Sequence, residues 1–368
     1  MSEKVAVIGI GKLGLCFALS LTRAGYEVIG IDIDPDYVDQ VNRRALPSDE
    51  PGVAAALREV QGFTATTDLG HIREAAIELV YVFVATPSTP EGGYDHDQID
   101  RVADQILAWE PPTRPIQLVI GCTTMPGYCD TLAERLAPYG HTVSYNPEFI
   151  AQGRIMQDLA RPDQVLIGEA DAAIGDRLEA LYRRVCENEP AFHRMDRLSA
   201  EITKLATNCF LTTKIAFANA IGDLALQAGA RPNKILAAIG SDSRIGPKYL
   251  GYGFGFGGPC FPRDNRALGL FARQQGQELL LSDATDQANA RHLDFQVRAY
   301  LDQYPPETPI EFNTVTYKPD SPLLIESQQL ALALALARAG RRVVIRERPA
   351  VTRILQDRYP GLFELIEM

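Results

Sequence analysis

Cysteine and histidine are scarce in this sequence, and neither residue follows a metal-binding pattern. The chain of 368 residues has 6 cysteines with no CxxC pair and 5 scattered histidines. Structural zinc and iron–sulfur sites need such side chains at short, regular spacings, so we expect no metal. Cysteines without a regular framework are typical of reduced intracellular proteins, and we therefore expect a cytoplasmic location.

Basic residues and long apolar runs are also under-represented. Lysine and arginine together number 36 against 47 aspartates and glutamates, which gives a net charge of -11. A general binder of nucleic acid polymers or anionic membranes needs a basic surface, so we expect neither partner. We find no signal peptide and no apolar run long enough to span a bilayer. Length and composition instead indicate a soluble globular protein of two or three domains.

The N-terminal residues carry the order strand, glycine turn, helix and strand. Lys4–Ile8 is predicted to be a short strand, and Gly9, Gly11 and Gly14 follow at once. Glycines let the backbone approach a pyrophosphate, whose charge the helix N-terminus stabilises. Asp32 ends the second strand, where a carboxylate accepts hydrogen bonds from ribose hydroxyls and repels a 2′-phosphate. The pattern predicts NAD as the cofactor; a βαβ unit that binds no cofactor is the alternative.

A glycine-rich stretch later in the chain surrounds one cysteine. Four glycines lie between residues 253 and 258, and Cys260 stands between Pro259 and Pro262. Arg263 and Asp264 follow directly. A thiol beside a cationic side chain ionises more readily, and the thiolate is the nucleophilic form. Cys260 is therefore a candidate nucleophile; a buried cysteine behind a glycine turn is the alternative.

This stretch carries a resemblance to a known family. The segment GFGGPCFPRD, residues 255–264, and the run before it, residues 242–250, resemble the active-site signature of the UDP-glucose/GDP-mannose dehydrogenase family. The Arg-Ile-Gly form of the earlier run is closer to the UDP-glucose branch. The resemblance implies an NAD-dependent enzyme that oxidises the C6 alcohol of a nucleotide sugar twice, to the carboxylate, through a thioester on Cys260.

The resemblance also covers three turns in the first half of the chain. A strand at 79–87 ends in Thr86-Pro87, the turn at 123–127 contains Thr124, and residues 146–149 match the Asn-Pro-Glu-Phe of the family. Glu148 is then the expected base for thioester hydrolysis. By resemblance, the catalytic residues are Cys260, Lys204, Asn208, Asp264, Thr124 and Glu148; the cofactor contacts are Gly9, Gly11, Lys12, Leu13, Gly14, Asp32, Thr86, Thr124 and Arg263; and the substrate contacts are Glu148, Phe149, Lys204, Asn208, Arg244, Tyr249, Gly257 and Lys318.

One long helix is predicted from Arg197 to about Ala230, because apolar residues recur there at helical spacing without proline. Ser199 is the candidate cap. Lys204 and Asn208 are four residues apart and so share one face of the helix. The resemblance implies that this pair holds a developing oxyanion; a solvated helix face is the alternative. We expect a homodimer through this helix.

Several positions depart from the family pattern. Tyr37 stands where the family often has a basic residue, and Gln152 replaces a second glutamate. Thr314 and Ile325 replace a glycine and an arginine of the nucleotide-binding motif. The resemblance is close over about the first 270 residues and weaker beyond them, so we expect a divergent, shortened C-terminal domain.

The fold class that follows is α/β in three parts. We expect a Rossmann-like doubly wound parallel sheet over residues 1–196, a central helical dimerisation and catalytic domain over 197–300, and a smaller nucleotide-sugar-binding α/β domain over 301–368. The favoured reaction converts UDP-glucose to UDP-glucuronate. The alternatives are the same chemistry on another nucleotide- or nucleoside-linked hexose, and a non-catalytic NAD-binding homologue.

Overall fold

The chain forms two compact units, Met1–Lys204 and Leu205–Met368. The computed structural model describes residues 3–109, 114–318 and 321–368. The first unit is an α/β sheet structure, and the second contains helices and a small parallel sheet. These features confirm the predicted α/β class, whereas the division into three domains stays a prediction.

A doubly wound sheet forms the first unit. Over the described residues it has eight strands in the order β3-β2-β1-β4-β5-β6-β7-β8, parallel except between β6 and β7. The part from β3 to β6 has the strand order of dinucleotide-binding folds. The strands are β1 (Lys4–Ile8), β2 (Glu27–Ile31), β3 (Phe63–Thr66), β4 (Leu79–Val82), β5 (Gln117–Ile120), β6 (Thr142–Tyr145), β7 (Gln164–Gly168) and β8 (Ala191–Met195).

Helices connect these strands. They are α1 (Lys12–Arg23), α2 (Pro35–Asn42), α3 (Val53–Glu59), α4 (His71–Glu74), α5 (Asp97–Leu107), α6 (Tyr128–Leu136), α7 (Ile155–Ala160) and α8 (Ala172–Val185). A 3₁₀ turn, Ala137–Tyr139, follows α6.

The central strands are buried on both faces, which is why their sequences are short apolar runs without alternation. In β1, Val5 and Val7 belong to one hydrophobic core, whereas Ala6 and Ile8 belong to another. Because successive side chains of a strand point to opposite faces, the sheet separates two cores.

The second unit combines helices with a small sheet. Strand β10 pairs in parallel with both β9 and β11. Leu332 and Leu336 from α13 share a buried core with Ile345 of β10. The elements are α9 (Arg197–Gln227), which begins in the first unit, α10 (Pro232–Gly240), α11 (Phe261–Gln274), α12 (Leu280–Gln303), β9 (Ile310–Phe312), α13 (Gln328–Arg338), β10 (Val343–Glu347), α14 (Pro349–Arg358) and β11 (Glu364–Glu367).

Helix α9 has 31 residues and follows the predicted span closely. The predicted cap was wrong, because Asp196 and not Ser199 caps the helix. Asp196 Oδ1 accepts a hydrogen bond from the Ser199 backbone N–H at 2.8 Å, and its Oδ2 accepts from the Ser199 hydroxyl at 2.7 Å. Helix α9 is long and apolar enough to cross a membrane. The core helix of a soluble protein meets the same criteria of length and composition.

Candidate active site

The predicted residues of the first unit lie at one edge of the sheet. Gly9, Asp32, Thr86, Thr124 and Glu148 follow β1, β2, β4, β5 and β6 in turn. These five strands are neighbours and parallel. Their carboxyl ends therefore meet at one edge, which is where ligands bind in open α/β sheets.

The glycine turn after β1 forms a cradle for a pyrophosphate. Gly9 has a φ of 81°, and a Cβ on Gly14 would lie 1.9 Å from the Gly9 carbonyl oxygen. Both positions therefore require glycine. A Cβ on Gly11 would meet no described atom within 4 Å. Lys12 and Leu13 open α1 beside this space, and the first N–H groups of a helix attract anions. The residues present fit a bound NAD.

Asp32 and Tyr37 complete the cofactor edge. Asp32 directly follows β2 and is partly exposed. Tyr37, one of the departures from the family pattern, donates its hydroxyl to the Ile10 carbonyl oxygen at 2.7 Å. Burial raises the pKa of Tyr37 to about 12, so the hydroxyl keeps its proton. Tyr37 thus ties α2 to the glycine turn.

The two predicted threonines are held by hydrogen bonds at the sheet edge. Thr86 donates its hydroxyl to the Thr123 carbonyl oxygen at 2.8 Å. Thr124 is fully buried and donates its hydroxyl to Glu201 at 2.8 Å. Thr124 therefore offers its hydroxyl oxygen, and not its proton, to any further partner.

Glu201 organises the turn that carries Thr124. Besides the Thr124 hydroxyl, its carboxylate accepts the backbone N–H groups of Gly127 at 2.7 Å and Cys129 at 3.0 Å. These groups belong to the first turn of α6, whose N-cap Gly127 makes no side-chain cap bond of its own. A carboxylate from α9 thus takes the place of a local cap.

Glu148 lies among three polar or aromatic neighbours in the first unit. Lys204, which is 7% exposed, donates its ammonium to the Glu148 carbonyl oxygen at 2.7 Å. The same ammonium lies 4.4 Å from the centre of the Phe149 ring, a cation–π arrangement. Tyr182 of α8 reaches the Glu148 carboxylate at 2.5 Å. The structure therefore brings together the predicted residues Glu148, Phe149 and Lys204.

The pKa of Glu148 is raised to about 7, mainly because the protein removes water from around the carboxyl group. The hydrogen bond from Tyr182 and the charge of Lys204 oppose this rise. A carboxylate with such a pKa is suited to act as a general base near neutral pH.

Glu50 supports the segment that follows Glu148. Its carboxylate is 6% exposed and accepts backbone N–H bonds from Gly153 at 2.8 Å and Ile155 at 2.7 Å. It thereby caps α7. Gln152, the second departure, lies directly before this cap and is partly buried.

Cys260 lies at the N-cap position of α11 in the second unit, and its side chain is exposed. A helix N-terminus favours negative charge. One turn further, Asp264 is 2% exposed and accepts a hydrogen bond from the Asn208 side-chain amide at 2.6 Å. Arg263 Nε lies 4.0 Å from the same carboxylate. The structure thus groups Cys260, Arg263 and Asp264 with Asn208.

The glycine-rich stretch before Cys260 is held by paired hydrogen bonds. The Asn219 amide bonds to Gly253 N at 3.0 Å and to Phe254 O at 3.2 Å. The Asn289 amide bonds to Phe256 N at 2.9 Å and to Phe256 O at 3.0 Å. Two asparagines from α9 and α12 therefore fix a backbone segment rich in glycine.

Gly257 and Gly258 fit closely against the segment that contains Ile325. A Cβ on Gly257 would lie 2.2 Å from the Glu326 carbonyl oxygen, and one on Gly258 would lie 2.5 Å from the Tyr317 ring. Gly258 N also donates to the Ile325 carbonyl oxygen at 3.1 Å. The absence of a side chain at these glycines permits the contact.

The remaining predicted substrate residues lie in the second unit and differ in exposure. The Arg244 guanidinium pairs with Asp242 at 2.7 Å and lowers the pKa of that carboxyl group. Tyr249 has a φ of 62° and is 47% exposed. Lys318 is partly buried. A tyrosine with positive φ is strained, and such strain is often found at binding sites.

Tyr182, Glu201 and Glu50 are site residues that the sequence did not predict as such. Glu50 and Glu201 accept backbone N–H groups from segments 72 to 105 residues away in the sequence, so no local pattern pointed to them. Tyr182 had no local signal beyond its place on the apolar face of a helix. Its contact with Glu148 joins residues 34 apart in sequence.

A doubly wound parallel sheet with a glycine turn after its first strand and an aspartate after its second is typical of NAD-dependent dehydrogenases. Residues 3–186 match the NAD binding domain, and residues 198–291 the central domain, of the UDP-glucose/GDP-mannose dehydrogenase family. The chain belongs to this family. It is accordingly an NAD-dependent nucleotide-sugar 6-dehydrogenase, and the predictions of the enzyme class and of NAD are confirmed.

Known relatives extend the match beyond these two domains. A UDP-glucose 6-dehydrogenase of Pseudomonas aeruginosa is 32% identical over 372 residues, covering 97% of this chain and 81% of that protein. A GDP-mannose 6-dehydrogenase of Pseudomonas putida is 31% identical over 281 residues, covering 72% and 63%. The structure of a UDP-glucose dehydrogenase from Pyrobaculum islandicum is similar with a TM-score of 0.89 and 27% identity, covering 100% of this chain and 87% of that one.

Proposed function

We propose that the protein oxidises the C6 alcohol of UDP-glucose to the carboxylate of UDP-glucuronate through a thioester on Cys260. The observation that carries the proposal is the exposed Cys260 thiol at the start of α11, one turn before a buried Asp264 that is paired with Asn208. This is a nucleophile with an oriented carboxylate and an amide donor nearby. NAD, when bound, supplies the electron acceptor for each of the two oxidations.

The first oxidation needs a base for the alcohol and donors for its oxygen. In the proposal, a water beside Asp264 takes the hydroxyl proton, and Lys204 and Asn208 hold the developing negative charge. An ammonium has three N–H donors and an amide nitrogen has two. Lys204 donates to the Glu148 carbonyl oxygen and Asn208 donates to Asp264, and in the proposal both side chains also donate to the sugar oxygen.

The cysteine prevents loss of the aldehyde before the second oxidation. The Cys260 thiolate adds to the aldehyde carbon, and its oxygen takes up a proton, which gives a thiohemiacetal. Loss of the C6 hydrogen with two electrons, together with the hydroxyl proton, converts this adduct into a thioester. Glu148 then removes a proton from water, whose oxygen adds to the thioester carbon and displaces the Cys260 sulfur. The products are the carboxylate and the free cysteine.

UDP-glucose is the favoured substrate because the Pseudomonas aeruginosa and Pyrobaculum islandicum proteins bear that specificity in their names. A second candidate is the same chemistry on another nucleotide-linked hexose. It is favoured by the Pseudomonas putida relative, a GDP-mannose enzyme, and by Ile325, which is 52% exposed where the family motif has an arginine.

Counting NADH per sugar separates these functions. The protein is mixed with NAD and a limiting amount of UDP-glucose, GDP-mannose or a UDP-N-acetylhexosamine, and absorbance and product mass are measured. Two NADH per UDP-glucose, with the acid as product, is the expected result. One NADH would leave the aldehyde as product and contradict the thioester scheme. No turnover of any sugar would favour the non-catalytic alternative.

We also propose a homodimer through α9. Phe210, Phe217 and Leu224 recur every seven residues along this helix, and 65%, 47% and 62% of their surfaces are exposed. Such a stripe on a soluble protein indicates a covered face. Sedimentation equilibrium should give a dimer, and Phe217→Glu should give a monomer, whereas Tyr139→Glu, at another exposed apolar residue, should remain dimeric. A monomeric unmodified protein would refute the proposal.

A further inference from the structure

Tyr182 stands between two hydrogen-bond acceptors and has one proton to donate. Its hydroxyl oxygen lies 2.5 Å from Glu148 Oε1 and 2.7 Å from Asn146 Oδ1. Tyr182 is 2% exposed, and Asn146 is 1% exposed. A phenol hydroxyl donates one hydrogen bond and accepts others, so it cannot serve both oxygens at once while Glu148 is ionised.

The orientation of the Asn146 amide is fixed from its other end. Asn146 Nδ2 donates to the Leu166 carbonyl oxygen at 2.8 Å. Turning the amide over would place its oxygen against that carbonyl, which is unfavourable. Asn146 therefore presents an acceptor, and not a donor, to Tyr182.

Each protonation state of Glu148 has its own hydrogen-bond arrangement. When Glu148 is ionised, Tyr182 donates to the carboxylate, a charge-assisted bond, and Asn146 Oδ1 has no proton from this hydroxyl. When Glu148 is protonated, it donates to the Tyr182 oxygen, and the Tyr182 proton turns to Asn146 Oδ1. In this second arrangement the hydrogen bonds run in one direction, from Glu148 to Tyr182 and from Tyr182 to Asn146, and each acceptor oxygen has a donor.

We propose that Tyr182 and Asn146 are positioning residues that form a reversible hydrogen-bond relay, which stabilises Glu148 in both of its protonation states during thioester hydrolysis. Glu148 takes a proton from the attacking water, and the Tyr182 hydroxyl rotates from Glu148 to Asn146. The proton later leaves Glu148 for solvent, and the hydroxyl rotates back. The inference rests on the proposed role of Glu148 as the base, and it deepens that role.

Three ionisable groups around Glu148 stay uncharged in this cycle. Within the described residues, the ionisable groups that act on Glu148 or are acted on by it are Lys204 from α9, Tyr81 from β4, and Tyr182 and Cys186 from α8 and its C-cap. Burial raises the pKa of Tyr81 and Tyr182 well above the ordinary value and that of Cys186 to about 11. Near neutral pH these three remain protonated, so Glu148 is the group that changes.

Two substitutions should shift the titration of Glu148 in opposite directions. Tyr182→Phe removes the charge-assisted bond to the ionised form, so the midpoint should rise by about one pH unit. Asn146→Leu removes the alternative acceptor, so the Tyr182 proton stays with Glu148 and the midpoint should fall. Infrared titration of the protonated carboxyl band in substrate-free protein measures both, with Glu148→Gln identifying the band.

Tyr81→Phe is the matched control. The Tyr81 ring lies 4.6 Å from Phe17 in the same core, and its hydroxyl has no hydrogen-bond partner among the described residues. Removing it deletes an equally buried hydroxyl outside the relay, and the Glu148 midpoint should stay within a few tenths of a pH unit. Thermal unfolding checks that each variant folds, and Asn146→Ala replaces Asn146→Leu if the latter does not.

The double variant gives the sharpest test. In the Tyr182→Phe background, Asn146→Leu should no longer shift the midpoint, because among the described residues the side chains of Asn146 and Glu148 are joined through the Tyr182 hydroxyl. Shifts of the two single variants in the same direction, or an unchanged midpoint in Tyr182→Phe, would overturn the relay. The two single variants could also shift the infrared midpoint in opposite directions while the pH profile of acid formation stays unchanged. That result would support the hydrogen-bond relay and show that Glu148 is not the base for hydrolysis.

Discussion

At the scale of single residues, the proposed chemistry depends on where Cys260 and Asp264 lie on α11. Cys260 is exposed at the helix start, and Asp264 is buried four residues later. Residues four apart lie on one helix face, and Asn208 holds the Asp264 carboxylate. The sulfur can meet a substrate, while the carboxylate keeps a fixed orientation.

Cys260→Ser should abolish formation of the acid. A serine hydroxyl is a far weaker nucleophile than a thiolate near neutral pH, so we expect acid formation to fall at least about a thousandfold. Product mass spectrometry after incubation with NAD and sugar measures it. Cys186→Ser, at a partly buried cysteine in the first unit, is the control and should remain active. Acid formation by Cys260→Ser at the unmodified rate would rule out the thioester.

Acid formation should rise with pH through about 7. Burial raises the pKa of Glu148 to about 7, and a general base works only in its ionised form. Below pH 7 the carboxyl becomes protonated, so kcat should fall about tenfold for each further pH unit. Rates between pH 5 and 9 test this, with Glu148→Gln expected to be slow and insensitive to pH over the same range. A flat profile in the unmodified protein would contradict the assignment.

At the scale of elements, distant carboxylates cap the helices that carry the site. Glu201 satisfies three donors at the start of α6, and Glu50 satisfies two at the start of α7. Buried backbone N–H groups without partners are costly. These caps therefore fix the Thr124 turn and the segment after Glu148 more firmly than local capping would.

Glu201→Ala should destabilise the protein by roughly 2–4 kcal/mol, since it leaves two backbone N–H groups and the Thr124 hydroxyl without their acceptor. Thermal or urea unfolding measures the loss. Glu134→Ala, at an exposed glutamate on α6, should change the free energy of unfolding by less than about 0.5 kcal/mol. Equal stability of the two variants would mean that the cap is not needed.

The dinucleotide-binding turn could be predicted from the sequence because its elements are adjacent in the chain. The strand β1, the glycine turn and α1 follow one another within 20 residues, so spacing alone sets the cradle. The prediction of Ser199 as the cap failed because aspartate and serine are both good N-cap residues. The helix begins at Arg197, so the N-cap position falls on Asp196. The Tyr182 contact depends on how α8 packs on the sheet, which no local pattern encodes.

At the scale of the whole molecule, a chain of net charge -11 must bind a substrate with a negative pyrophosphate. Local cations must therefore offset the overall field. Arg244, Lys248 and Lys318 are the cations in the matching motifs. The Arg244 guanidinium is paired with Asp242 at 2.7 Å, which reduces its net charge toward a ligand. We therefore expect Lys248 and Lys318 to contribute to pyrophosphate binding alongside Arg244.

Lys318→Ala should weaken binding of UDP and UDP-glucose by about tenfold, which corresponds to about 1.4 kcal/mol. The reason is the exposed Ile325, which stands where the family motif has an arginine, so we expect other cations, Lys318 among them, to contact the pyrophosphate. Calorimetry with UDP, UDP-glucose and GDP-mannose measures the affinities before and after the substitution. Lys234→Ala, at an exposed lysine of α10, is the control and should bind as the unmodified protein does. Tight UDP binding that does not change in Lys318→Ala would refute this contact. Binding of GDP-mannose without binding of UDP would favour the second candidate, another nucleotide-linked hexose, as the substrate.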